Sequence, residues 1–496
     1  MIDEKKELER IDSVIKKGPY DDTWESLSKY SAPKWYKDLK FGIFIHYGVY
    51  SAAAFANEWY PRNMYIKDSD EYKHHIETYG PHKDFGYKDY VPMLKAENFN
   101  ANSWLELFEE AGAQYMVPVA EHHDGFMMYD SKVSDWNAAK MGPCRDIIGE
   151  LDKASEATDI TFGVSSHRIE HWWFLGNGRD FDSDITGEFP KDHIYWPSQK
   201  EPKDHFDVTP DNPPSQEYME DWLIRTCEII DRFHPAILYF DWWILIEVLR
   251  PYLKKALAYY YNAMASIGRE GVVNFKHDEI LHGCAVPTVE RGQFAEIKPY
   301  LWQTDTATCF NSWGYTPDNR YKQPNDIVCD LVDIVSKNGR MLLNVGPKPD
   351  GTITKEDTDI LKNIGKWLKI NGQAIYGCDT YKTFGEGPTK IQEGFFQDGN
   401  VRKYTALDFR FTVNNGNIYI IALGKPENGS YVVKTFGRKT SEGQVNFLGR
   451  FDKVSLLGTV EGASEKEVTY KITDEGLVID CAETSEYPLV FKLVVY

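Results

Sequence analysis

The amino-acid sequence predicts an α/β protein, with an irregular (β/α) barrel over residues 1–375 followed by a C-terminal antiparallel β-sandwich over 376–496. Three observations predict it. Up to about residue 372, short continuous apolar runs alternate with segments of helical period. Those runs lack polar alternation, as expected of parallel strands covered on both faces. Beyond residue 376 the chain turns β-rich, with turn residues between short strands. At 496 residues it also exceeds one ordinary core, so two or three domains are expected.

In chain order the strand candidates are FGIFIHYGVY (41–50), AQYMVPVA (113–120), TFGVSSH (161–167), AILYFD (236–241), GVVNFK (271–276), LWQTDT (301–306) and RMLLNVGP (340–347). Helix candidates lie between and after them, at 103–112, 145–159, 217–233, 252–268, 326–339 and 356–372. Several close on Gly, the residue favoured just past a helix C-terminus. Some seven βα units favour a barrel. An open doubly wound sheet is disfavoured because no GxGxxG follows the first strand. In the tail, FRFTVNNGNIYIIALG, GSYVVKTFG, DKVSLLGT, KEVTYKITDEGLVIDCA and YPLVFKLVVY supply the sandwich strands.

Composition narrows the function classes. Hydrophobic content is 42% and aromatic content 14%, so the chain folds, and its ring surplus suits a ring-lined pocket. A formal charge of -20 argues against nucleic acid and anionic membranes as partners and favours solubility. Seven scattered cysteines without a CxxC pair suggest neither a disulfide framework nor a zinc cluster. The opening MIDEKKELERIDSVIKKGPY has no apolar core, and no run of about 18 apolar residues occurs. The direct reading is a soluble cytoplasmic protein; an exported one lacking its signal would read the same, and a homo-oligomer is compatible with either.

Barrel function gathers at the C-terminal ends of the strands. Those ends carry His46, Glu121-His122-His123-Asp124, His167, Asp241, Asn274 with Lys276, and Asp305. Each alone reads as an ordinary loop residue; their recurrence on successive strands points to a pocket. Asp241 stands out, since a carboxylate after a buried apolar strand needs donors or a purpose. Adjacent side chains on a strand face opposite ways, so His122 and His123 should not chelate one metal without a bend. No HxH or HExxH pattern is present. Two donors beside Gly125 suit sugar hydroxyls, and rings suit a sugar's apolar face. Trp59, Tyr60, Phe126, Tyr129, Trp136, Trp172, Trp173, Trp242, Trp243, Trp302 and Trp313 are the candidates, undivided between pocket and core.

The chain resembles the retaining α-L-fucosidases, glycoside hydrolase family 29. The resemblance rests on WYKDLKFGIFIHYGVY (35–50), NEWYPRNMY (57–65), EHHDGF (121–126), SDWN (134–137), GPCRDIIGEL (142–151), FDWW (240–243), SWGY (312–315) and SKNGRMLLNVGPKPDGTI (336–353). These run in order over some 320 residues, and the HHDGF and LLNVGPxPDG blocks are specific. It implies an irregular barrel with a sandwich and a retaining exo-hydrolase of α-linked L-fucose on fucosylated carbohydrate, without metal or cofactor.

By the same resemblance Asp241 is the nucleophile, and His46, Glu58, Trp59, His122 and His123 hold the fucose, with Trp313 of SWGY beside them. The acid/base precedes the Leu301-Trp302 strand. Glu290 of PTVERG is preferred over Glu296 of FAEIKP for its separation from Trp302, and the adjoining Gly suggests an exposed loop. Departures are Asn274-Phe275-Lys276 where the family commonly has Asn-Asp-Arg, Ser165-Ser166 where Tyr or His is common, and Trp302-Gln303 for Trp-Glu. A bidentate guanidinium becomes the point charge of Lys276. Competing readings are a non-catalytic fucose binder, a hydrolase of a related sugar such as α-L-galactose, and a metal-dependent barrel hydrolase using His46, His122 or His123, His167 and Asp241.

Overall fold

The computed structural model describes residues 2–400, 402–459 and 462–496. Eight parallel strands close into a barrel: β1 Phe41–Ile45, β2 Tyr115–Glu121, β3 Thr161–Ser166, β4 Ile237–Phe240, β5 Val272–Lys276, β6 Val286–Glu290, β7 Trp302–Ala307 and β8 Gly339–Val345. The seam joins β1 to β8, with Phe41 opposite Met341 and Ile45 opposite Val345.

The unbroken apolar runs follow from burial on both sides. Phe44, Val117, Tyr239 and Leu342 pack together inside the barrel. Their neighbours Ile43, Ile45, Met116, Leu238, Phe240 and Leu343 join the core under the helices. Period-two alternation therefore persists, but each face meets an apolar layer.

The interior is floored by buried polar groups, some of them paired with one another. Tyr115 Oη donates to Gln303 Oε1 at 2.9 Å, and Asn274 Nδ2 donates to Tyr36 Oη at 3.0 Å. The Arg340 guanidinium stacks on Tyr36, 4.1 Å from its ring centroid. With that end plugged, the barrel opens only toward the C-terminal ends of its strands.

Two expectations need correction. The barrel has eight strands, and β6, sequence VPTVE, was absent from the seven runs. Pro287 lacks a ladder donor, which disguises a five-residue strand. LWQTDT is thus the seventh strand and RMLLNVGP the eighth. Glu290 accordingly ends a strand and is 6% exposed, so it does not sit on an exposed loop. The charged N-terminal stretch forms the helix Glu4–Lys17, capped by the Asp3 side chain and anchored by buried Ile11 and Ile15.

The last long barrel helix, Lys355–Asn371, leads into nine strands. These are β9 Asp379–Glu386, β10 Phe409–Asn414, β11 Asn417–Ala422, β12 Ser430–Val433, β13 Phe451–Leu456, β14 Lys466–Glu467, β15 Thr469–Ile472, β16 Leu477–Asp480 and β17 Leu489–Val495. A six-stranded sheet, β14-β13-β17-β11-β10-β9, faces a three-stranded one, β12-β16-β15. On β11, Ile418, Ile420 and Ala422 enter the sandwich core, while Tyr419 and Ile421 join the barrel's apolar core. Buried Arg410 on β10 reaches Asp333 of the helix Pro324–Ser336 at 2.5 Å, and Lys337 shares that carboxylate at 2.6 Å. Apolar contact and a buried ion triad thus join the sandwich to the barrel. Among the described residues, no helix is long and apolar enough to cross a membrane.

Candidate active site

The mouth of the barrel is built by a two-residue step. On strand after strand, an inward residue of the lower layer is followed two positions later by a polar group: Phe44 by His46, Ser165 by His167, Tyr239 by Asp241, Asn274 by Lys276, Thr288 by Glu290 and Gln303 by Asp305. A period-two strand aims both members of each pair inward. These six polar groups line one cavity of about 280 Å³, together with Glu58, Trp59, His122, His123 and Trp313.

At its centre one ammonium joins two carboxylates. Lys276 Nζ lies 2.6 Å from Asp241 Oδ1 and 2.5 Å from Glu290 Oε2, with Asp305 Oδ2 at 3.6 Å. The two bonded oxygens can be no farther apart than those two distances laid end to end, about 5 Å. Trp242 Nε1 also donates to Glu290 Oε2. Asp241 Oδ2 faces His167 Nδ1 at 3.1 Å and His123 Nε2 at 3.4 Å. Burial alone would raise the Asp241 carboxyl, but Lys276, His167 and His123 together hold it well below the usual carboxylate range. Burial works against the Lys276 ammonium, and Asp241 and Glu290 outweigh it and raise that group well above its ordinary value.

The imidazoles divide by charge. Burial would lower His123, yet Glu170 and Asp241 hold its proton and raise it to about 10. Its Nδ1 lies 2.9 Å from Glu170 Oε2 and 2.9 Å from the His167 carbonyl. Burial, and then the neighbouring imidazoles, push His46 and His122 well below their ordinary value, so both are neutral. His46 Nδ1 is 2.7 Å from Asn344 Oδ1, which fixes its ring while Nε2 stays free.

Adjacent His122 and His123 both reach the cavity because β2 ends at Glu121. The alternation that would separate them does not extend so far. The two acids of that stretch are structural. Glu121 accepts from Arg168 and Arg225, each at 3.1 Å, and Asp221 closes the network. Asp124 accepts from Tyr87 Oη at 2.5 Å and from the Phe126 amide at 3.1 Å.

Glu58 and Trp59 arrive on the loop after β1, Trp313 on the loop after β7. Glu58 Oε2 ties the loops together, accepting from the Trp313 amide at 2.8 Å and from Ser312 Oγ at 3.2 Å. The Trp313 ring lies 5.2 Å from His46 and the Trp59 ring 5.5 Å from His123, so indoles flank the imidazoles.

All nine sequence-predicted site residues line this cavity: Asp241, Glu290, His46, Glu58, Trp59, His122, His123, Lys276 and Trp313. Glu296, the alternative acid/base, is exposed outside it. Asn274 turns instead to the floor. Of the ring candidates, Trp242 and Trp243 join the pocket, whereas Tyr60, Phe126, Tyr129, Trp172 and Trp302 are core. Phe206, Phe396 and Glu170 were missed. The first two sit on long connections without period, and Glu170 would have needed the fold to show His123 beside it.

Linear spacing also hid two groupings. Donor atoms of His46, His122 and His167 lie within 4.8 Å of one another, as do those of His123, His167 and Asp241. The poor spacing noted for a metal ligand set is thus overcome by the closed barrel. The second set is already spent, because Asp241 Oδ2 faces the two ring nitrogens directly and Lys276 neutralises the other oxygen.

A family model for α-L-fucosidase matches residues 8–373. The plasma α-L-fucosidase of Pongo abelii is 31% identical over 438 residues, covering 84% of this chain and 84% of that protein. The α-L-fucosidase of Dictyostelium discoideum is 28% identical over 441 residues, 85% of this chain and 84% of its own. Among solved structures, Thermotoga maritima α-fucosidase bound to a mechanism-based inhibitor superposes with a TM-score of 0.73 at 29% identity, covering 96% of this chain and all of that one.

Proposed function

The chain belongs to the α-L-fucosidase family and is a glycoside hydrolase, and we propose that it releases α-linked L-fucose from fucosylated carbohydrates by double displacement through Asp241 and Glu290. One observation carries the assignment: two carboxylates at the barrel mouth, their facing oxygens no more than about 5 Å apart, meet on the single ammonium of Lys276. Retaining hydrolysis uses carboxyl groups about 5–5.5 Å apart, too close for an intervening water. Asp241, held ionised, attacks C1 while Glu290 protonates the departing oxygen; Glu290 then takes the proton of the incoming water.

His46, neutral with its Nδ1 proton given to Asn344, offers Nε2 as an acceptor to a sugar hydroxyl; neutral His122 meets another, and Glu58 accepts from a third. His123, charged and braced by Glu170, orients Asp241. Trp59 and Trp313 offer faces to the sugar's apolar edge. Binding energy should be felt most as the ring flattens toward the transition state. We further assign residues 1–375 as the catalytic unit, and a reducing, cytoplasmic setting in keeping with cysteines that are all unpaired.

The test is the stereochemistry of the first product. Proton NMR of the reaction on an aryl α-L-fucoside should show α-L-fucose before mutarotation. First-formed β-L-fucose would refute the double displacement, and no release of fucose would refute the substrate.

A further inference from the structure

We propose that Phe206, Trp242 and Phe396 form a leaving-group subsite that takes the apolar face of a pyranose ring attached to the fucose. The inference rests on the reading of Glu290 as acid/base. Whatever touches the glycosidic oxygen must lie beside that carboxyl, and Trp242 Nε1 donates to the same Glu290 oxygen as Lys276. The indole is 5% exposed and forms the floor. Phe206 packs against it edge-on at 5.8 Å, and Phe396 lies parallel to it, 9° between planes and 6.2 Å between centroids. All three rings line the same cavity as the carboxylate pair.

The two phenyl rings are 59% and 58% exposed, on separate segments, where solvation would favour neither. Phe396 is held there against its own backbone preference. Its φ is 57°, a left-handed conformation that L side chains rarely adopt, and Trp243, His277 and Arg291 around the same rim share it at 73°, 49° and 45°.

The segment is docked onto the strand that carries the acid/base. The amide of Phe396 donates to the Glu290 carbonyl at 2.9 Å, and the Asp398 amide donates to the Arg291 carbonyl at 2.9 Å. Arg291 Nη1 returns to Asp398 Oδ2 at 3.2 Å, and Lys322 holds the same oxygen at 2.6 Å. Gly292 permits the approach, since a Cβ there would stand 1.8 Å from the Gly394 carbonyl oxygen. Backbone so fixed would be needless for a loop that only closes a surface. Sugars present a face of C–H groups that rests on aromatic rings, and here the rings stand where the departing sugar must lie.

The experiment compares leaving groups on the full chain. Phe396→Ala and Phe206→Ala are assayed with α-L-fucosyl fluoride, whose leaving group is one atom, and with α-L-fucosyl-galactose and α-L-fucosyl-N-acetylglucosamine. Each variant should lose about tenfold in kcat/KM on at least one disaccharide. Turnover of the fluoride and competitive inhibition by free L-fucose should stay within about twofold, and Phe396→Tyr should restore disaccharide hydrolysis. Equal losses on fluoride and disaccharides, or no loss on either disaccharide, would overturn the proposal. A wild-type protein inert toward the fluoride would overturn the reading of the carboxylate pair, and this subsite with it.

Discussion

Replacing Lys276 by Met removes the one cation that both carboxylates share, and the consequence can be worked from geometry. A unit charge about 4 Å from a carboxylate is worth about 4 kcal/mol at the effective dielectric of a protein site. One pH unit corresponds to about 1.4 kcal/mol. Relaxation and entering water will absorb part of that, and the remainder moves the pH limbs that depend on these two carboxylates. The nucleophile must be ionised and the acid/base protonated, so both limbs of the kcat/KM profile should move up together. The ratio of variant to wild-type kcat/KM should therefore fall as pH is lowered through the new acid limb, by about tenfold per unit. Lys276→Arg, which keeps the charge, should return the limbs to near their original places. The assay is hydrolysis of an aryl α-L-fucoside from pH 3.5 to 9. A Met variant whose limbs stay put while kcat alone declines, or whose limbs move in opposite directions, would refute the shared-cation argument. The sign for stability agrees. The depressed Asp241 carboxyl stabilises the fold above its unfolded value and loses that contribution as pH falls, so the Met variant should lose less stability on acidification.

Other expectations concern single residues. Asp241→Gly should abolish turnover while calorimetry still detects L-fucose; retained activity would displace the nucleophile. Glu290→Gly should regain activity with azide, whereas Glu296→Gly should need none, and rescue at 296 would reverse the assignment. Glu121→Ala would leave two buried guanidinium groups sharing the one carboxylate of Asp221 and should cost about 3–5 kcal/mol in denaturant melts; a loss below about 1 kcal/mol would show that the network relaxes. Burial raises the Asp305 carboxyl to about 6, with Lys276 opposing, so its stabilising contribution is present at low pH and lost as pH rises through 6. Asp305→Asn should remove about 3 kcal/mol of that decline between pH 3.5 and 7, measured by urea unfolding. Chelation should leave activity unchanged, and activity lost with chelator and regained with zinc would favour the three-histidine grouping as a functional centre.

Much of this was legible in the chain because barrel strands write their layers at a fixed interval. In YFD, NFK and QTD the inward positions alternate with core positions, so the polar group that tops each strand can be read two residues past its buried predecessor. β6 escaped because Pro287 breaks the signature of a strand, and Glu290 was expected on a loop because of the nearby Gly292. The histidine pair was read as a polar device, and alternation was applied to it one residue too far, since β2 stops at Glu121. What no local pattern could show is which distant groups meet. Glu170 beside His123, Asn344 under His46 and Arg291 clasping Asp398 are products of closure, with separations of 47, 298 and 107 residues set by topology. Phe206 and Phe396 carry no periodic mark at all, and only their exposure at the rim distinguishes them from core rings.

The clasp of Arg291 on Asp398 carries a consequence for how such enzymes diversify. Chemistry rides on rigid strands, whereas one wall of the entrance is hung from the loop between β9 and β10 of the C-terminal sandwich. Lengthening or shortening that loop would recut the doorway without touching the hearth behind it. Exchange of the C-terminal sandwich between relatives would therefore change what is admitted, and a lineage could drift toward new glycans while its bond-breaking apparatus stood still.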